Sequence, residues 1–282
     1  NRMRQQYERL GLSIPNSSIG DQITWATELL RPVWLYLMLQ TLGATVMHVD
    51  ATSFPVKDRD HAKGIMLGSF WGYVGDKSTA VFLYCRTGKA KGQSHGELGP
   101  ADILARRTGF VCADAAGIFD ASMMREEVVE LGCNMHARRY FIKALEAGDN
   151  VLPSVHDAEP DVRLAERQRR SKPVYDDLLA WCRTYQPAEP PKSMLGVALR
   201  YLLNHHLALT RYLDDGRLPI DNGIVERLHR RPAVGRKSFL FAGPHAGAER
   251  AAIAYSITAI CEQLDINPTE YLADVLPRLQ RG

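Results

Sequence analysis

The sequence predicts an α/β protein, and three observations carry that expectation. Short apolar segments with strand-like alternation fall at 45–50, 64–75 and 79–86, and a further one, GFVCAD, ends at Asp114. Helical periodicity brackets them, before residue 45 and throughout about 158–215. With 282 residues and 45% hydrophobic content, the chain is long enough to bury a sizeable core.

Taken in order, Ser17 and Ser18 are placed to cap a helix from about Asp21 to Leu42. Its apolar face would comprise Ile23, Trp25, Leu29, Leu30, Val33, Trp34 and Leu37. Three consecutive strands follow, the second and third joined by a hairpin turn at Gly75, Asp76, Lys77 and Ser78. The stretch RTGKAKGQSHGELG reads as a solvated basic loop, because it lacks the GxxxxGKS pattern of a nucleotide cradle. After Gly132, CNMHARRYFIKAL reads as a short strand running into a helix, with His136, Arg138 and Arg139 at the junction, where backbone N–H groups and paired arginines suit a phosphate. From 158 to 215 the helices are broken by QPAEPPKS. A compact βαβ connection needs only a few tens of residues, so this helical material is expected to stand beside the sheet as an insertion. His205 and His206 are sequence neighbours pointing to different sides of their helix, which argues against a shared ligand role. The tail from Glu249 to Leu279 reads as two helices parted near Asn267 and Pro268. The expected segments are thus 1–44 (helical), 45–135 (first part of the core), 136–218 (mostly helical insertion) and 219–282 (core helix and C-terminal helices).

Composition narrows the class without deciding it. A net charge of +3 does not by itself demand an anionic partner. The apolar run from Val33 to Leu39 is far short of the roughly 20 residues a membrane span requires, and no signal peptide is visible. Five cysteines without a CxxC pair argue against a zinc ribbon or disulfide framework and suit buried free thiols in a reducing cytoplasm. The chain opens at Asn1 without a leading methionine, which suggests an excised fragment.

The chemistry concentrates in IDNGIVERLHRRPAVGRKSFLFAG. Asp221 and Asn222 are helix-capping types, and the spacing lets Glu226 project from the first turns that follow. Arg227, His229, Arg230, Arg231, Arg236 and Lys237 then offer neutralising charge for a phosphate backbone beside that carboxylate. One acid on a basic helix is an ordinary salt-bridge partner unless other carboxylates converge on it. Asp50, ending ATVMHVD, and Asp114, ending GFVCAD, are read as strand-end acids; on neighbouring parallel strands they would share the crevice outside the strand ends. The plainer reading is that each begins a turn.

These strings resemble the transposases of the insertion-sequence-66 family. HVDATSFPV carries the first acid, Asp50; CADAAGIFD the second, Asp114; and DNGIVERLHRRPAVGRKSFLFAG the third, Glu226. CNMHARRYF is a further family-like stretch, and the match covers nearly the whole chain. The resemblance implies a ribonuclease-H-like mixed sheet flanked by helices, with a helical insertion between the second and third acids. It also implies metal-dependent cleavage and strand transfer on double-stranded DNA, at element ends and target. Asp50, Asp114 and Glu226 would hold Mg2+ or Mn2+, since three carboxylates without soft ligands favour these over zinc. His136, Arg138, Arg139, Asn222, Arg227, Arg230, Arg236 and Lys237 would bind DNA. A homo-oligomer in the DNA complex, a bacterial, nucleoid-associated cytoplasmic location and DNA-recognition segments upstream, one of them zinc-binding, are further implications. The chain departs from the family pattern where Asp-Glu-Thr becomes Asp50-Ala51-Thr52, where Asp-Gly-Tyr becomes Asp114-Ala115-Ala116, and at Pro232, one place later than usual. Ala51 and Ala115 motivate an alternative, a catalytically inactive DNA-binding module; a simple nuclease on the same scaffold is a third reading.

Overall fold

The computed structural model describes residues 2–75, 79–86, 99–114, 125–145, 159–238 and 243–281, which form a five-stranded mixed sheet flanked by helices. In chain order come α1 (Arg2–Arg9), α2 (Asn16–Gly43), β1 (Val46–Lys57), β2 (Ile65–Val74), β3 (Ala80–Cys85), α3 (Pro100–Ala105), β4 (Gly109–Ala113), β5 (Val128–Gly132) and α4 (Asn134–Leu145). Then follow α5 (Pro160–Glu166), a π-helical turn (Arg167–Ser171), α6 (Lys172–Tyr185), α7 (Met194–Thr210), α8 (Gly223–Leu228), α9 (Arg230–Ser238), α10 (His245–Gln263) and α11 (Pro268–Gln280). The strand order is β3-β2-β1-β4-β5. β2 and β3 are antiparallel, whereas β1, β4 and β5 are parallel. The chain divides into two compact units, one comprising 1–44, 51–103 and 228–282, the other 45–50 and 104–227.

In the first unit, α2 begins behind an extended Pro15, so Ser17 and Ser18 lie inside its first turn rather than capping a later start. Its buried positions, Thr27, Leu30, Trp34, Met38 and Thr41, recur every three or four residues. The threonines tolerate burial because their hydroxyls donate back to carbonyls one turn earlier, Thr27 to Ile23 and Thr41 to Leu37, each at 2.8 Å. Ile23 and Trp25, expected on the buried face, stay exposed: the apolar residues of this helix form more than one stripe and the core takes only one.

The outer edge of β3 is closed by side chains. Phe82 donates its N–H to Ser256 Oγ on α10 at 2.8 Å, and its carbonyl accepts Trp34 Nε1 from α2 at 2.9 Å. An edge strand left bare would template pairing with another chain; here two helices occupy the N–H and carbonyl of Phe82. At the β2–β3 connection Gly75 donates to the Thr79 carbonyl at 3.0 Å. A Cβ on Gly75 would lie 2.5 Å from Thr79 Oγ1 and 2.7 Å from Ala44 Cβ, so no other residue fits without displacement. Residues 76–78 of the expected turn, and 87–98 of the basic loop, lie outside the described residues. The C-terminal helices part as expected: Asn267 Oδ1 caps α11 by accepting the Thr269 N–H at 2.9 Å, with Pro268 at the first helical position.

In the second unit, β4 and β5 pair in register from Gly109↔Val128 to Ala113↔Gly132. Arg107, almost fully buried, ties the start of β1 to β4 through Thr45 O at 3.0 Å and Phe110 O at 2.8 Å. The helices between residues 160 and 213 are not free-standing: Tyr175, Leu179, Leu199, Leu202, Leu209 and Tyr212 share one apolar core with Val46, Cys112 and Leu131 from the sheet. Gly132 permits this packing, since a Cβ there would meet Leu209 at 2.8 Å. All five cysteines are free thiols and buried, as the absence of CxxC pairs suggested.

Replacing Ser256 by Ala strands the buried Phe82 N–H and is expected to cost about 1–3 kcal/mol, read as a lowered urea midpoint at unchanged slope. An unchanged midpoint would show that the edge closure contributes nothing.

Candidate functional site

Asp50 does not end its strand. β1 runs on to Lys57 because alternation resumes beyond it, with Phe54 and Val56 buried and Phe54 stacked on Phe70 at 3.9 Å. The small residues Ala51, Thr52 and Ser53 mimic a turn in sequence but are accommodated as strand. Asp114 does lie one residue beyond β4. The parallel register pairs His48 with Cys112, and Asp50 and Asp114 each follow two residues further along the chain, the period that returns a strand to the same face. Both are partly buried.

On that face sits Asn222, fully buried, with every kind of its polar group engaged. His48 Nδ1 donates to its Oδ1 at 2.9 Å, and its Nδ2 donates to the Val49 carbonyl at 2.8 Å. Its backbone N–H points to Cys133 Sγ at 3.2 Å, and its carbonyl accepts the Glu226 N–H at 3.3 Å. Asn222 therefore joins β1, the β5–α4 junction and the start of α8. Asn222, expected among the DNA-binding residues, is fully buried and bonded within the chain. Asp221 supplies the local cap, its Oδ1 accepting the Gly223 N–H at 2.7 Å. Burial pushes the His48 imidazole below its ordinary value near 6.5, overcoming the Asn222 bond and the nearby Asp221 charge that act the other way.

Glu226 projects from α8 toward α4. Its Oε2 accepts Arg139 Nη2 at 2.6 Å, and its Oε1 lies 3.7 Å from His136 Nδ1. Glu226 Oε1 and His136 Nδ1 are both buried and have no hydrogen-bond partner among the described residues. Cys133 completes the cluster: among the described residues, one ligand atom each from Cys133, His136 and Glu226 lie within 4.8 Å of one another. Cys133 is not in a strand, as expected from sequence, but at the capping position before α4, because β5 already ends at Gly132. Sequence analysis missed His48 and Cys133. The available signals were the two-residue step from His48 to Asp50 and the C-x-x-H step from Cys133 to His136, which sets both on one helical face.

Of the basic residues expected to meet DNA, Arg138, Arg139 and Arg227 are exposed in the second unit, with Arg139 held by Glu226. In the first unit Arg230 and Lys237 are exposed, but Arg236 is partly buried, its Nη1 donating to the carbonyl of Ser53 and approaching Ser53 Oγ at 3.2 Å. That engagement with β1 gives Arg236 a structural partner that the sequence did not reveal. No described helix is long and apolar enough to cross a membrane.

A profile described as "Transposase IS66 family" matches residues 1–250. The chain belongs to the IS66 transposase family. Among curated proteins it is similar to "Uncharacterized protein y4hP" of Sinorhizobium fredii (strain NBRC 101917 / NGR234), 26% identical over 316 aligned positions that cover 99% of this chain and 56% of that protein. From the same organism, "Uncharacterized protein y4jD" is 32% identical over 165 positions (53% of this chain, 32% of that protein), and "Uncharacterized protein y4qI" is 29% identical over 172 (55% and 32%). The chain thus spans 56% of the length of y4hP and less of the other two.

Because His48 is neutral in the folded chain while its unfolded counterpart takes up a proton near its ordinary value of 6.5, its contribution is present above that pH and lost as pH falls below it. Urea midpoints are expected to drop from about pH 7.5 to about pH 5.5, and His48→Gln to flatten that drop. An identical slope in the variant would contradict the burial of a neutral imidazole here.

Proposed function

We propose that this chain is the catalytic region of a DNA transposase in which Asp50, Asp114 and Glu226 hold divalent cations for phosphodiester cleavage and strand transfer. One observation carries the reading. The parallel β1–β4 register, which runs as far as His48 opposite Cys112, supports neighbouring positions for Asp50 and Asp114 two residues further on, and Asn222 ties β1 to the helix bearing Glu226. The strand order β3-β2-β1-β4-β5, with β1, β4 and β5 parallel and β2 antiparallel to β3, supports a ribonuclease-H-like core.

Among the described residues the cluster of three possible ligand atoms is Cys133, His136 and Glu226, without Asp50 or Asp114, so the carboxylate reading is supported by donor type. Three carboxylates are hard oxygen ligands suited to Mg2+ or Mn2+, and Glu226 Oε1 is a buried oxygen lacking any hydrogen bond among the described residues. When bound, such ions would supply Lewis-acid activation of water or a 3′-hydroxyl and stabilise the leaving oxygen. The chain's own residues do the positioning. Arg139 fixes the Glu226 carboxylate through Oε2, leaving Oε1 turned inward. Asn222 ties β1 to the start of α8 through His48 and the Val49 carbonyl. Arg138 and Arg227, exposed in the same unit, would take up backbone phosphates, and Arg230 and Lys237 would do so in the other unit. The partners proposed are the element ends and target duplex, with a homo-oligomer bridging two ends, in a bacterial cytoplasm at the nucleoid.

A second reading, a DNA-binding module without catalysis, is favoured by Ala51 and Ala115 beside the first two acids and by the Arg139–Glu226 ion pair, which occupies one oxygen of the third. Plasmid cleavage in Mg2+ or Mn2+ separates the two. Asp50→Asn, Asp114→Asn or Glu226→Gln is each expected to reduce cleavage at least about a hundredfold while leaving DNA retention intact. Cleavage surviving in these variants would sink the assignment, and no cleavage by the unaltered chain together with salt-sensitive binding would favour the second reading. Arg227→Ala is expected to weaken retention and to flatten the dependence of log affinity on log salt by about 0.9, the increment for one phosphate left without its neutralising charge. An unaltered slope would remove Arg227 from the interface.

A further inference from the structure

We propose that Cys133, His136 and Glu226 form a site for a thiophilic divalent cation of the zinc class, separate in chemistry from the all-carboxylate site. The three ligand atoms lie within 4.8 Å of one another, and His136 Nδ1 and Glu226 Oε1 are 3.7 Å apart. A tetrahedral ion with bonds of about 2.0–2.3 Å holds its ligand atoms roughly 3.3–3.8 Å from each other, so the cluster needs little adjustment to close on one. Two of the three donors point at each other while buried and lacking hydrogen bonds among the described residues. A nitrogen and a carboxylate oxygen left this way are costly, and a shared cation satisfies both.

Cys133 stands at the residue before α4, and the Asn222 N–H is directed at its sulfur at 3.2 Å. Burial raises the thiol above its ordinary value, so cation binding there releases its proton. Arg139 anchors the other oxygen of Glu226 at 2.6 Å, the role of an outer partner that orients a ligating carboxylate. Its Nη1 also meets His136 Nε2 at 3.3 Å. A cation at Nδ1 shifts the ring proton to Nε2 and displaces this contact, which the half-exposed guanidinium can surrender without repacking. One sulfur, one nitrogen and one oxygen select zinc-class ions over magnesium and leave a fourth position open. The site rests on this geometry alone. Only one consequence depends on the function proposed above: where Glu226 serves both sites, zinc competes for it and suppresses magnesium-dependent cleavage.

Cobalt(II) titration of the chain in metal-free buffer tests the site, because a Co–thiolate bond gives a near-ultraviolet charge-transfer band. The expected result is one equivalent of cobalt bound with that band, displaced by zinc, and lost in Cys133→Ser. His136→Gln, on a partly exposed helix face, is expected to weaken binding at least about tenfold and serves if Cys133→Ser does not fold. Asp50→Asn and Asp114→Asn are expected to leave band and affinity unchanged, so failure of the carboxylate site and failure of this one are read separately. No thiolate band in the unaltered chain, a band persisting in folded Cys133→Ser, or unchanged affinity in His136→Gln would overturn the proposal.

Discussion

The buried amide of Asn222 is the contact on which the arrangement in the second unit depends. Its oxygen accepts from His48, its nitrogen donates to Val49, and its backbone reaches Cys133 and Glu226, so one residue fixes a strand, a strand–helix junction and a helix start at once. Aspartate would lose the donor to Val49 and bury a charge, and serine would not span the distance. An amide with both a donor and an acceptor meets the requirement without net charge, which matters beside three acids. His48 is the complementary half: kept neutral by burial, it donates from Nδ1 without adding a cation to the site.

Much of this was legible in the sequence where local periodicity and burial agree. The strand segments at 64–75 and 79–86, the helices between 160 and 213, the break at QPAEPPKS and the Asn267–Pro268 helix start follow from period and capping chemistry, and the structure places them within a few residues. What the sequence concealed has physical causes. Asp50 read as a strand end because Ala51-Thr52-Ser53 are small, yet burial of Phe54 and Val56 pulls the strand onward. Asn222 read as a helix-capping type and a DNA-binding residue; its burial against His48 and Val49 is a long-range contact that no local pattern announces. Arg236 likewise looked like part of a phosphate-binding run and instead reaches the backbone of β1.

The third acid joins two kinds of chemistry. Glu226 presents one oxygen to Arg139 and the other to His136 and Cys133, so the carboxylate proposed for magnesium or manganese is also within reach of a soft donor pair. The Arg139 pair offsets the charge of Glu226 at a partly exposed position. Membership of the IS66 transposase family sets the expectation of phosphodiester chemistry on DNA. The geometry shows which groups hold Glu226 and its helix: Arg139 through the carboxylate and Asn222 through the backbone.

Calorimetric titration with Mn2+, in the presence of a short duplex, tests most directly whether Asp50, Asp114 and Glu226 act as one ion site. Manganese prefers oxygen donors, so Cys133 contributes little to the reading. Binding by the unaltered chain, lost in the triple variant Asp50→Asn, Asp114→Asn, Glu226→Gln with its fold intact, is the expected result. Equal binding by both chains, or binding by neither, would contradict a carboxylate cation site built on Asn222.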